Sequence, residues 1–162
     1  MPPAIEVVCD ASVVLKWFHA KGEEEVGESR TLLDLHTSGT IALSVLDLTA
    51  YEVGNALVRG VGAPASAAQI ALETLALICP RLAPTTADLA DALTLAERHG
   101  LTVYDAAYAA MARNRGARLV TLDRRLLDAG LGVRPSEMVQ GSTFTRQVGP
   151  PSASANSSRS TS

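Results

Sequence analysis

Residues 5–18 read IEVVCDASVVLKWF, a short and mostly apolar run that ends in Asp10, then a serine, then a second apolar segment. A short apolar run closed by a polar turn reads as a buried strand. Ser12 stands where a hydroxyl can cap the helix VVLKWF. The same arrangement recurs further along the chain. IALSV at 41–45 reads as a second strand, followed by a helical pattern from Leu46 to Gly60. ARLVTLD at 117–123 reads as another strand, and it again ends in a carboxylate, Asp123. Helices fill the intervals. One follows the acidic run at Glu23–Glu25 and stops at Gly39, one opens after Pro64 and reaches about Ile78, and one capped by Thr85 or Thr86 extends to Gly100. The stretch LTVYDAAYAAM at 101–111 predicts a helix to about Arg115, with Thr102 or Asp105 as its cap. A small strand is expected near Met138 and Val139. Strands separated by helices of this length predict an α/β sandwich with a mostly parallel sheet. The ordered domain is expected to span residues 1–140. From Gly141 to Ser162 the mixture of Ser, Thr, Pro, Asn and Gly has no periodicity and predicts a disordered tail.

The 162 residues suffice for one domain with a real core. Hydrophobic residues make up 47% but aromatics only 4%, so alanine, leucine and valine must carry the packing. So few rings argue against a platform on which single-stranded bases stack in succession. The formal charge is -3, and both basic residues beyond Gly141 lie in a stretch without acid, leaving 12 basic against 17 acidic side chains in the first 140 residues. That balance excludes a generic polyanion binder; a nucleic-acid role needs a local basic rim or metal ions that reverse the field. Lys16, Arg59, Arg124 and Arg125 are candidates for such a rim. Cys9 and Cys79 have neither metal-site nor redox spacing and read as small core residues. No run of apolar residues is long enough to span a bilayer, so no membrane role and a cytoplasmic location are expected.

In open parallel sheets functional groups gather beyond the carboxyl ends of the strands. Asp10 and Asp123 occupy such ends. Glu52 lies in a largely apolar helix, where a carboxylate must be paired or bind a cation. Asn55 shares its face and is a candidate partner, with Arg59 as a structural alternative. Asp105 completes a set of four acids. Carboxylates drawn together raise one another's proton affinity unless cations neutralise them. The donors are hard oxygens, and His19, His36 and His99 are scattered, so magnesium or manganese fits better than zinc. Such ions suit phosphodiester hydrolysis. Ser12 and Thr121, each two residues from an aspartate, are candidates to hold a water or a phosphate oxygen. A glycosidase also uses acids, but it needs a controlled pair and aromatic sugar platforms.

The succession VVCDASVVLKWF, TAYEVGNALVR, LTVYDAAYAAMA and ARLVTLDRRL resembles the PIN-domain proteins, and among them the VapC toxins of type II toxin–antitoxin pairs, over residues 5 to about 140. The resemblance implies a three-layer α/β/α sandwich and a magnesium- or manganese-dependent endoribonuclease. It assigns Asp10, Glu52, Asp105 and Asp123 to the metal site and Ser12, Thr121 and Asn55 to its support. It further implies an RNA substrate, a homodimer, and a cognate antitoxin that silences the toxin and carries the complex to operator DNA. The chain departs from the family pattern at ALSVLD, where members often have a proline. Two other readings compete: a PIN-type nuclease for RNA maturation or DNA without an antitoxin, and a catalytically weak binding or regulatory module. A neighbouring small reading frame for a DNA-binding protein would favour the toxin over both.

Overall fold

The computed structural model describes residues 3–20, 22 and 24–147. Four parallel strands form the centre: β1 (Ile5–Cys9), β2 (Ile41–Leu46), β3 (Arg81–Leu82) and β4 (Arg118–Val120), in the spatial order β3-β2-β1-β4. β1 pairs with β2 from Ile5 opposite Ile41 and with β4 from Val7 opposite Arg118. β3 is the one strand the sequence pattern does not announce. Its two residues are too few to show a period, and they follow Pro80, whose carbonyl accepts from Val45 N–H at 3.1 Å. The outer edge of β4 is covered by Val133, which exchanges backbone hydrogen bonds of 2.9 Å with Leu119 and Thr121.

Side-chain alternation along β1 separates two cores. Val7 and Cys9 face one side with Val13, Val14 and Trp17 of α1 (Ala11–Phe18), Leu32 of α2 (Val26–Thr37), Val53 of α3 (Asp47–Asn55) and Leu75 of α4 (Ala65–Ile78). Val8 faces the other with α5 (Thr86–His99), α6 (Val103–Asn114) and Leu126 of α7 (Arg124–Asp128). The result is three layers, helix on sheet on helix, as expected. Burying strand valines on both faces contributes roughly 1.5–3 kcal/mol per side chain and explains why these strands lack a polar face. In α6, residues 106–112 are all buried, and five of those seven positions are alanine; small side chains let α6 pack closely between α5 and the sheet.

Two expectations are corrected. The region of Met138 and Val139 is helical, within α8 (Pro135–Gln147), and the boundary expected at Gly141 falls inside that helix. Buried Met138 fixes α8 to the core, while the hydroxyls of Ser142 and Thr143 donate to the carbonyls of Met138 and Val139 at 2.8 and 3.0 Å. A tail-like composition is thereby compatible with a helix. The rest of the expected tail, 148–162, lies outside the described residues. After α3 the helix continues as a π-helical segment, Ala56–Val61.

The chain runs from β1 to β2 to β3 in one direction across the sheet and then places β4 on the far side of β1. The strand order therefore reverses between β1 and β4. In open α/β sheets the crevice at such a reversal is where ligands bind.

Candidate active site

Asp10 follows β1 and sits at that crevice, 5% exposed. It is the N-cap of α1, its Oδ1 accepting from the backbone N–H of Ser12 at 3.1 Å and of Val13 at 3.4 Å. The expected capping role of Ser12 thus belongs to Asp10, because an aspartate at the strand end reaches the open amides first. The Ser12 hydroxyl instead makes a short bond to Asp10 Oδ1 and accepts from Leu122 N–H at 2.9 Å. On the other side the Thr121 hydroxyl makes a short bond to Asp10 Oδ2 and accepts from Asp123 N–H at 2.9 Å. Both hydroxyls therefore pass a backbone N–H of the β4–α7 turn into one carboxylate, locking the ends of β1 and β4 together. They orient Asp10, which is a different task from holding a water or a phosphate oxygen. The Thr121 side chain is itself held by close approach of Gly132, where a Cβ would lie 2.7 Å from Thr121 Cγ2.

Asp123 caps α7, accepting from Arg125 N–H at 2.8 Å. The cap of α6 is Thr102, and Asp105 lies in the first turn. Thr102 Oγ1 accepts from Asp105 N–H at 3.1 Å and donates to Asp105 Oδ2 at 2.7 Å. Asp105 Oδ1 accepts no hydrogen bond among the described residues. Three of the four acids thus stand at the amino ends of helices, where the helix dipole favours negative charge. Glu52 is different. It lies inside α3, half-buried, and Oε1 accepts from the Tyr108 hydroxyl at 3.0 Å. That hydroxyl also bonds the buried Thr49 Oγ1 at 2.8 Å.

Tyr108 and Thr49 were not singled out by sequence reasoning. A signal for Tyr108 exists: a tyrosine inside an alanine-rich buried helix must find a partner for its hydroxyl, and it lies three residues from Asp105, on the same face. Asn55, by contrast, is exposed and makes no hydrogen bond to Glu52 among the described residues. Arg59 is exposed in the π-helical segment and forms no ion pair with Glu52 among those residues either. The partner of Glu52 comes from across the core, not from its own helix.

The four acids share one electrostatic field. Burial pushes Asp10 up to about 6, against the hydrogen bonds from Ser12, Thr121 and Val13, and the charge of Asp123 adds to the rise. Glu52 is also raised, first by burial, with the Tyr108 hydrogen bond opposing and the charges of Asp10, Asp105 and Asp123 adding. Burial likewise raises Tyr108, with the Glu52 charge contributing, so its hydroxyl remains a donor. Among the described residues no three such side chains close to coordinating geometry around one point. The acids share a field rather than a coordination sphere. This fits a magnesium-type ion, which keeps several waters and takes only one or two carboxylates directly. Raised carboxylates are what a divalent cation would lower again.

Beside Asp10 a cleft of about 560 Å³ opens between α1 and α7. Of the expected basic rim, Lys16 and Arg124 line it and Arg59 and Arg125 do not; Arg134 joins them.

The family model described as PIN domain matches residues 7–131, a span that contains all four acids, and the chain belongs to the PIN-domain family. Its likeness within that family is to the VapC ribonucleases. Ribonuclease VapC3 of Pyrobaculum aerophilum is 35% identical over 131 residues, 76% of this chain and 94% of that protein. The crystal structure of PAE2754 from the same organism superposes with a TM-score of 0.65 at 26% identity, covering 89% of this chain and 94% of the other. VapC20 of Mycobacterium tuberculosis, a sarcin–ricin loop cleaving toxin, shares the fold with a TM-score of 0.61 at 20% identity, covering 76% of this chain and 95% of its own.

Proposed function

We propose that this chain is a magnesium- or manganese-dependent endoribonuclease toxin, neutralised by a cognate antitoxin. The observation that carries the reading is the pinned, buried Asp10 in the field of Glu52, Asp105 and Asp123 at the point where strand order reverses. The likeness to a VapC ribonuclease supports RNA as substrate. Asp10, Glu52, Asp105 and Asp123 are the residues that would hold the ion. The chemistry such an ion supplies when bound is that of a Lewis acid, making water more acidic and offsetting charge that builds on a phosphodiester.

The protein's own groups divide the remaining work. Asp10 presents a carboxylate whose direction is fixed at both oxygens. Tyr108 aims Glu52 into the crevice. Asp105 keeps one oxygen open. The hydroxyls of Ser12 and Thr121 spend their protons on Asp10, so water is the nucleophile and the products carry 5′-phosphate and 3′-hydroxyl ends.

The protein acts in the cytoplasm as a homodimer, and its antitoxin carries the complex to operator DNA. α4 supports pairing: Ala68, Ala71 and Leu75 face the core, while Ile70 and Leu77 leave an apolar surface uncovered. No helix among the described residues is long and apolar enough to cross a membrane. The test incubates purified protein with total RNA, with and without magnesium, and maps the cut ends. Metal-dependent cuts with 5′-phosphates are expected, and undiminished cleavage in excess chelator would overturn the reading. Light scattering at micromolar protein should report a dimer.

A further inference from the structure

The cleft beside Asp10 has a composition opposite to that of the chain as a whole. Among the described residues its walls carry Lys16, Arg124 and Arg134 against one acid, Glu24, in a protein of net charge -3. Its inner end is formed by Ser12 and Leu122, the two residues joined by the hydrogen bond that helps fix Asp10. The cleft and the acidic centre therefore share a wall. Arg134 is engaged by two carboxylates of different standing. Its Nη1 lies 3.0 Å from Glu24 Oε1 and 3.7 Å from Glu25 Oε1. Glu25 is 12% exposed and held by the backbone N–H and hydroxyl of Ser136 at 3.0 and 2.8 Å. Glu24 is 71% exposed, and Arg134 is its sole ion-pair partner among the described residues.

We propose that this cleft binds backbone phosphates of the RNA flanking the scissile bond, and that Glu24 occupies Arg134 until a phosphate displaces it. The proposal rests on the ribonuclease reading. A polyanion must approach four carboxylates, and cations gathered in one cleft offset that repulsion while setting the side from which the strand enters. Among the described residues that line it the cleft holds no aromatic ring, so it grips backbone and leaves the bases unread.

The test measures anisotropy of a fluorescein-labelled oligouridylate in metal-free buffer across a range of salt. It compares wild type with K16A, R124A, R134A, E24Q and, as a charge-matched control, R98A, an exposed position on α5 outside the cleft. Each cleft cation removed should flatten the slope of log K against log salt by about 0.7, the single-strand value per phosphate contact. E24Q should bind up to about fivefold tighter, the worth of an exposed ion pair. R98A should match wild type. Arg124 is exposed and makes no ion pair among the described residues, so R124A tests the cleft even if R134A loosens the loop at Glu24. Wild-type slopes in all three cleft variants, or an equal loss in R98A, would overturn the proposal; weaker or unchanged binding by E24Q would overturn the displacement. Wild type that cuts RNA while the slopes stay unchanged defeats the cleft alone. Normal cleft behaviour in a protein that cuts no RNA defeats the ribonuclease reading and leaves the cleft standing.

Discussion

At the scale of single residues, Asp105 has one oxygen tied to the cap of its helix and one that accepts no hydrogen bond among the described residues. Thr102 caps the helix and bonds Asp105 Oδ2, so the structural part of the site needs an oxygen at this position but no charge. Asp105→Asn should therefore lose most RNA cleavage and bind magnesium more weakly, yet melt no lower than wild type in chelator, because one member of a repelling set is neutralised. Cleavage time courses paired with thermal melts check this, and near-normal cleavage by a folded variant would remove Asp105 from the metal site. Tyr108→Phe acts differently. It takes away the donor to Glu52 and strands the buried Thr49 hydroxyl, at a cost of about 1–3 kcal/mol. A lower melting temperature is expected together with a raised magnesium requirement, read as the half-saturating concentration for cleavage. Loss of stability with an unchanged requirement would make the tyrosine merely structural. The acids were legible because a charge in an apolar setting is conspicuous in one dimension. Tyr108 was not, because its partners Thr49 and Glu52 lie 59 and 56 residues away.

Elements were read well where they were long and periodic, and poorly where something other than period decided them. β3 has two residues, and α8 is held by Met138 and by hydroxyl back-bonding in a composition typical of tails. The apolar packing of α5 on α6 is joined by a polar clasp that no local pattern announces. Asp88, 4% exposed, forms a capping box with Thr85, accepts from Asn114 Nδ2 at 3.0 Å and pairs with Arg115 at 3.4 Å. The backbone N–H of Thr85, Asn114 and the remaining hydrogen bonds hold its carboxyl far below the usual 3.8, burial opposing. A depressed pKa in the folded state means that the unfolded chain binds the proton first as pH falls. The contribution is thus complete above pH 3.8 and lost progressively below it. Melting temperatures of wild type should drop steeply through that acid range, whereas Asp88→Asn should start lower at neutral pH and show a shallower acid limb. Parallel curves would mean that the clasp is not charge-dependent.

For the whole molecule, the acidic centre and the basic cleft give a charge distribution that net charge conceals. A divalent ion bound only by the folded state stabilises it by RT ln(1 + [L]/Kd), about 1.4 kcal/mol at tenfold over Kd. Magnesium should therefore raise the melting temperature by a few degrees, and Asp10→Asn should abolish the rise. An equal rise in that variant would place the ion elsewhere. The order of layers was legible from alternating strands and helices, but the reversal between β1 and β4 was not, since pattern gives strands and not their neighbours. That reversal also sets a schedule. Asp10 leaves the ribosome 111 positions ahead of Thr121, which fixes one of its oxygens. Chains emerge amino end first, and the early helices can begin to fold before the last strand exists. A nascent chain halted before β4 therefore carries the first aspartate without the clamp that aims it. The acidic centre is thus complete only when translation of the domain is nearly finished, and a shorter fragment holds its first carboxylate unaimed.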